Sequence, residues 1–354
     1  MLKLNYPTHI PFIINNSERH SMSFSLKQYI ETKIHEKIIL HSKKQIKVHV
    51  IGSYCRDPSM ISKKEKTDKI FNWQRPTVNF INDEYVELLV YPGRDYVRHY
   101  ASLLGTWYAL NKIDAYVTYE LPDESLAWNT IQEHMPVNLT PSDIAIVGYG
   151  VDFFSDGMWE GTGPIRWSRQ KLGSQWITWI GCEHSIWGDI GGRFFGALAH
   201  KGFPKIIYIG KLGTLKETIP PNEYLATGSS SYLDGETITW NNIFDSILSG
   251  KEKIVTGKHY NCASVILETK EWVKNNMEHY DFVDPEIGHM AKWTKNFGSH
   301  FSYLHIISDN LAKKYREDLS NEREQSVIYK RSTLIKPTLK SVLFKALQNI
   351  STNN

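Results

Sequence analysis

The chain has 354 residues, 41 Lys and Arg against 38 Asp and Glu, and a net charge of +3 at neutral pH, with 41% hydrophobic and 22% charged residues. That balance excludes long disorder and a nucleic-acid footprint spread over the whole molecule, and the length supports a large core divided over two domains. Three separated cysteines (Cys55, Cys182, Cys262) with no zinc spacing, no basic and apolar leader, and no run of 18 apolar residues give the expectation of a cytoplasmic protein with no metal, no cofactor and no membrane partner.

In chain order, Leu26, Tyr29, Ile30, Ile34 and Ile38 recur at helical spacing over 25–40, and 46–51 alternates as a strand. Residues 77–81 and 85–91 read as strands joined across Asn82-Asp83-Glu84, a hairpin signal. Asp95 is expected to cap a helix bearing Val97, Tyr100, Ala101, Leu104 and Tyr108. A strand at 115–120 and a helix at 124–135 follow. The turn-rich stretch 136–141 then marks the expected boundary between an accessory α/β domain, 1–140, and a second domain, 141–350.

Beyond it the pattern becomes regular. Residues 143–148, 176–181 and 205–210 are near-continuous apolar runs ending in glycine, as expected of strands buried on both faces. A helix over 189–201 lies between the second and third. Short strands at 253–256, 264–267 and 281–283, helices at 268–277 and 286–296, and a strand at 301–307 complete the alternation, which predicts a largely parallel sheet. In the last segment, 311–354, nine Lys and Arg face four Asp and Glu. The preferred reading is a solvated helix face and tail, with a basic partner-binding tail as the alternative. The tryptophans Trp159, Trp167, Trp176, Trp179 and Trp187 are expected in a packed core or an oligomer interface.

Ligands of parallel sheets sit beyond the carboxyl ends of the strands. Four such ends are rich in glycine and polar residues: Gly148-Tyr149-Gly150-Val151-Asp152, Gly181-Cys182-Glu183-His184-Ser185, Gly210-Lys211-Leu212-Gly213-Thr214 and Ser308-Asp309-Asn310. None is a Walker A loop or a full dinucleotide fingerprint. Tight turns explain any one of them, but four at one edge point to a site.

The stretch from Gly181 to Leu215, with Val283-Asp284-Pro285-Glu286 and Ile306-Ile307-Ser308-Asp309 downstream, resembles the nucleoside phosphorylase/nucleosidase superfamily. Those segments are similar to its small-residue turn into a helix, its Gly-x-x-Gly-x-Leu element, its V-(D/E)-M-E motif and its (I/R)-x-I-S-D element, over about 141–314. Pro285 departs from the family's methionine. The resemblance implies a three-layer α/β/α domain with a mixed, largely parallel central sheet, preceded by a smaller α+β domain. It also implies cleavage of a purine N-glycosidic bond, without a cofactor, in a homo-oligomer that binds a small-molecule nucleoside or nucleotide.

Such cleavage passes through an oxocarbenium-like sugar, so an enzyme must hold the ribose and protonate the leaving base. The resemblance puts Glu286 on the ribose hydroxyls, and Asp309 is placed to act as the general acid on N7. Opening a helix is the plain alternative for Glu286, and capping one at 311–319 is the plain alternative for Asp309. Asp152 is the candidate to activate water, ahead of Asp156 and Glu183. Gly148, His184, Ser185, Gly210, Gly213, Thr214 and Ser308 are expected to line the substrate site, with Tyr260 stacking on the base. Phosphorolysis would instead require inorganic phosphate held by Arg166, Arg169 and Arg193 with Ser185 and Thr214. A nucleoside- or nucleotide-binding protein without activity is the third reading. AMP nucleosidase, a hydrolase of this superfamily with an extra N-terminal domain, keeps a nucleotide substrate open.

Overall fold

A computed structural model of the chain describes residues 10–41, 46–248 and 253–352. The expected helix at 25–40 is two, α1 (Ser25–Lys33) and α2 (Glu36–His41). Ile34 turns into extended backbone, and His35 Nδ1 accepts the Lys37 N–H at 3.1 Å, so a local side-chain bond restarts the helix while Ile34 and Ile38 stay buried. A first sheet contains β1 (Lys47–Ile51), β2 (Thr77–Phe80), β3 (Tyr85–Leu89) and β4 (Tyr116–Glu120) in the order β2-β3-β1-β4. The expected hairpin is the antiparallel β2–β3 pair, and β1 runs parallel to β3 and β4. Helix α3 (Arg94–Asn111) lies between β3 and β4, and α4 (Glu124–His134) follows β4.

The second, twelve-stranded sheet begins at β5 (Ile144–Gly148), past the turn at 136–141. After the short α5 (Val151–Phe154) come β6 (Trp159–Glu160), β7 (Ile165–Leu172) and β8 (Gln175–Cys182). Then follow α6 (Asp189–His200), β9 (Lys205–Thr214), β10 (Leu225–Thr227), β11 (Ser230–Leu233), β12 (Glu236–Thr239), β13 (Ile254–Thr256) and β14 (His259–Asn261). The chain continues through α7 (Lys270–Asn276), β15 (Phe282–Asp284), α8 (Ile287–Asn296), β16 (His300–Asn310), α9 (Gln325–Lys330) and α10 (Lys336–Thr352). Strands β8, β5, β9 and β16 are adjacent and parallel at the centre, with antiparallel pairs around them. The expected mixed, largely parallel sheet is what the molecule has.

Successive residues of a strand face opposite layers. Ile144 and Ile146 pack in one apolar cluster with Leu339, Leu343 and Leu347 of α10. Ala145 and Val147 pack in the other, with Phe194 and Phe195 of α6 and Tyr100 and Leu104 of α3. The sheet is thus sandwiched between helices, three layers in all. The second cluster also contains Leu26 and Val48, so one core runs through both sheets. The expected solvated helix face in the last segment is one side of α10; the other side buries an apolar stripe with Leu339, Leu343 and Leu347, worth about 1.5–3 kcal/mol per large aliphatic side chain.

Three further expectations change. Residues 264–267 form no strand; Ser264 Oγ accepts the Ile266 N–H and caps a single turn, Val265–Leu267. Gly210, Gly213 and Thr214 lie inside β9, and Ser308 and Asp309 inside β16, because the two strands pair to their ends. No helix at 311–319 exists for Asp309 to cap.

Gly148 has a backbone reason to be glycine: its φ is +129°, and a Cβ there would lie 1.9 Å from the Ile209 carbonyl oxygen. Gly148→Ala is expected to cost about 3 kcal/mol or more, adding backbone strain to overpacking. A urea midpoint equal to that of the parent protein would remove this explanation.

Asp95 does not cap α3 as expected, since the helix begins at Arg94. Instead α3 and α6 cap each other. Asp189 accepts the N–H groups of Arg94 and Asp95 at 3.1 Å, and Asp95 Oδ2 accepts the Asp189 N–H at 3.1 Å. Arg193 Nη1 lies 3.0 Å from Asp189 Oδ2, with both side chains buried. Two helix N-termini far apart in sequence are thereby tied together.

Candidate active site

A cavity of about 170 Å³ opens where the ends of β9 and β16 meet the turn from β15 into α8. Its far wall comes from the first third of the chain: α1, α3 and the segment 66–75. The end of β8 explains how that segment arrives. The Cys182 carbonyl accepts the Asn72 N–H at 2.7 Å, and the Glu183 carbonyl accepts the N–H groups of Trp73 and Gln74 at 3.2 and 3.1 Å. A Cβ on Gly181 would lie 2.6 Å from the Ile70 carbonyl oxygen. The glycine at this strand end therefore admits a segment of the chain's own backbone.

Asp309 lines the cavity and is buried. Its room comes from Gly213, where a Cβ would stand 3.0 Å from Asp309 Oδ2. Ser308 Oγ donates to Asp309 Oδ1 at 2.6 Å. Burial pushes the carboxyl up to about 6, against the lowering effect of that hydrogen bond. Near neutrality it is poised between acid and carboxylate, as a proton donor requires.

Glu286 also lines the cavity, immediately before α8. It does not cap that helix. Asp284 Oδ1 accepts the N–H groups of Glu286 and Ile287, both at 2.9 Å, which leaves the Glu286 side chain for the cavity. Burial and the neighbouring Asp284 charge raise its pKa, while Lys211 pulls it down. Asp284 is itself buried, yet His259 Nε2 at 3.1 Å and His305 Nε2 at 3.6 Å hold its carboxyl below the usual range.

Of the sequence-predicted residues, the fold thus brings Glu286, Asp309, Ser308, Gly210 and Gly213 into one cavity. Others lie elsewhere. Asp152 is exposed on α5, and Gly148 is committed to the strand end. His184 is buried, stacks on Tyr91 with centroids 4.4 Å apart and lies 2.8 Å from Gln74 Oε1; burial pushes its pKa down to about 3. Ser185 Oγ donates to the Gln74 carbonyl at 2.9 Å. Both secure the segment that carries Arg75. Thr214 Oγ1 donates to the Asp281 carbonyl, and Tyr260 packs among Tyr232, Trp272 and Tyr280. Neither Asp156 nor Glu183 lines the cavity. Arg166 pairs with Glu183 at 3.3 Å, Arg169 bonds Thr140, and Arg193 is held by Asp189.

The residues that sequence reasoning missed are cations and aromatics. Lys33, Lys66, Lys69, Arg75 and Lys211 line the cavity. Tyr29, Tyr96, His99 and Tyr100 do too, with Trp187, which stacks on His99 at 4.2 Å. Trp167 and Trp179 are core residues as expected, Trp187 is half-buried against the core while also lining the cavity, and Trp176 is exposed. Lys211 and Trp187 lie inside the singled-out stretch from Gly181 to Leu215, and the spacing of Tyr29 and Tyr100 marks them only as apolar helix faces; the other cations carry no local signal. Among the described residues no group of three or more His, Cys, Asp or Glu is arranged to hold a metal ion, and no helix is long and apolar enough to cross a membrane.

No family model matches the chain. Over 174 residues it is 28% identical to the oxidoreductase cns1 of Cordyceps militaris, a match covering 42% of this chain. The chain spans about a fifth of the length of that curated relative, 21%. Among solved structures it is similar to purine nucleoside phosphorylase from Toxoplasma gondii in complex with immucillin-H, at 15% identity and a TM-score of 0.46, covering 61% of this chain and 93% of that one. It is likewise similar to S-adenosylhomocysteine nucleosidase from Streptococcus pyogenes in complex with 5-methylthiotubericidin, at 13% and 0.44, covering 60% and 98%. A futalosine hydrolase mutant of Helicobacter pylori gives 13% and 0.43, covering 58% and 98%.

Proposed function

We propose that this cavity cleaves the N-glycosidic bond of a purine nucleoside or nucleotide by hydrolysis. The observation that carries the reading is the pairing of Asp309, a buried acid pushed up to about 6, with Glu286 in the same cavity. Asp309 protonates the departing base, which lowers the barrier to breaking the bond. Glu286 accepts hydrogen bonds from vicinal ribose hydroxyls, whose donation stabilises its charge along with Lys211. The aromatic wall of Tyr96, His99, Tyr100 and Trp187 supplies the flat apolar surface a purine requires. Water activation falls to a carboxylate that lines the cavity. Asp152 does not, and Glu268 does.

Chromatography of the full-length protein with a panel of nucleosides and nucleotides, in phosphate-free buffer, is expected to reveal free purine base. Release only on adding inorganic phosphate would replace hydrolysis by phosphorolysis, a second reading favoured by the lysines in the same cavity. A folded protein that releases no base from any substrate, with or without phosphate, overturns both and leaves a binding protein.

A further inference from the structure

Lys33, Lys66, Lys69, Arg75 and Lys211 converge on the cavity, and Arg331 lies just behind them. Their principal counter-charge is one carboxylate. Glu322 lies 4.0 Å from Lys33, 2.7 Å from Lys66 and 3.7 Å from Arg331, and also pairs with Lys211. These cations hold the Glu322 carboxyl well below its usual range despite burial.

That single carboxylate does not satisfy the group. Among the described residues no carboxylate lies within ion-pair reach of Lys69 or Arg75. Arg75 is 8% exposed, lines the cavity, and its Nε has no hydrogen-bond partner. Burial and the other cations push Lys33 and Lys69 well down, and burial pushes Lys211 down to about 8. Burying unpaired cations costs several kcal/mol each. Lys33 lies over the Tyr29 ring at 5.1 Å and Lys211 over the Tyr149 ring at 5.7 Å, which offsets part of that cost. Among the described residues Lys69 and Arg75 have no such ring, and a multiply charged anion in the cavity would offset the rest. The other carboxyls of the cavity, Asp309, Glu268 and Glu286, form no ion pair with these side chains among the described residues.

We infer that the wall formed by Lys33, Lys66, Lys69, Arg75 and Lys211 is a phosphate subsite. It rests on the reading of the cavity as the substrate site, and it narrows the substrate class. A phosphate carries about −1.5 to −2 charge with several acceptor oxygens, matching a wall whose positive charge exceeds one carboxylate. Arg75 supplies the planar fork that phosphate accepts, and the lysines supply point charges around it. The subsite differs from the one anticipated around Arg166, Arg169 and Arg193, which are engaged elsewhere. Four of its five side chains come from the first third of the chain, which makes that third part of the substrate site. Two sources share this chemistry: a phosphomonoester on the substrate, or free inorganic phosphate.

Isothermal titration of the full chain with AMP, adenosine and inorganic phosphate separates them. If the phosphate is attached, AMP binds about 10- to 100-fold more tightly than adenosine, the range expected for hydrogen bonds to a charged group. If it is free, inorganic phosphate binds by itself and adenosine binds alongside it. In either case, the affinity ratio of AMP to adenosine, or the affinity for inorganic phosphate, falls about tenfold or more in Arg75→Gln and Lys69→Met. Lys69→Met keeps the aliphatic stem and removes only the charge, so it tests the subsite even where Arg75→Gln is unstable. AMP binding no tighter than adenosine, together with no binding of inorganic phosphate, overturns the subsite, as does a phosphate preference unchanged in both variants. A phosphate preference without base release would keep the subsite and remove the hydrolytic reading; base release without that preference would do the reverse.

Discussion

Asp309→Asn is expected to lower the rate of base release by about 10²–10⁴-fold, the usual contribution of a positioned general acid. Affinity for an unreactive substrate analogue should change by less than about threefold, because the amide keeps the shape and loses only the proton. The pH dependence carries the sharper test. The active form is the protonated one, present below about 6 and lost above it, so kcat/KM in the parent should fall about tenfold per pH unit on the alkaline side. The Asn variant should lack that limb.

Stability should move the other way. A carboxyl whose folded pKa rises from 3.8 to about 6 binds more protons when folded, so its contribution turns unfavourable as pH rises from about 4 to 6. Above that window the cost reaches about 3 kcal/mol, at about 1.36 kcal/mol per pKa unit. The Asn variant is therefore expected to resist urea better than the parent at pH 7.5 and to lose that advantage near pH 4. A slower and less stable variant would show that Asp309 holds the fold and has no role as the acid.

The other large effect is expected at Asp189. Replacement by Ala removes the acceptor for the Arg94 and Asp95 N–H groups and leaves Arg193 buried without its partner. Breaking a buried pair on one side costs about 3–5 kcal/mol, to which each lost cap adds about 1 kcal/mol. Asp189→Asn keeps an acceptor oxygen for the caps and should recover part of the loss. Because α3 carries Tyr96, His99 and Tyr100 to the cavity, the Ala variant should also bind purine nucleosides poorly in urea-free buffer. An unchanged urea midpoint would show that the reciprocal caps do not join the two parts of the chain.

The order of strands and helices after residue 141 was legible because both elements announce themselves locally. Continuous apolar runs ending in glycine mark buried strands, as at 143–148 and 205–210. Asp309 was legible because it sits at a strand end, where parallel sheets gather ligands, and Glu286 because Val283-Asp284-Pro285-Glu286 resembles a motif of the nucleoside phosphorylase/nucleosidase superfamily. The helix break at Ile34 was not, since periodicity sees the apolar face continue through Ile38 while His35 re-caps the backbone. Nor was the role of the second strand end: Gly181, His184 and Ser185 have the polar, small character of a binding loop, yet they bind residues 70–75 of the same chain. Local composition cannot tell a ligand from a distant stretch of backbone, because both ask for the same close approach and the same donors.

Sequence by itself determined the fold class through patterns spanning a few residues, and its resembling motifs marked Glu286, Asp309 and the Gly213 that makes room for Asp309. Only the tertiary structure decided what surrounds those acids. Lys33, Lys66, Lys69 and Arg75 stand more than 130 residues before Lys211, and each alone reads as an ordinary solvated cation. Their meaning arises when one fold takes them out of water together, where charges that would be screened apart on the surface must find a shared counter-ion.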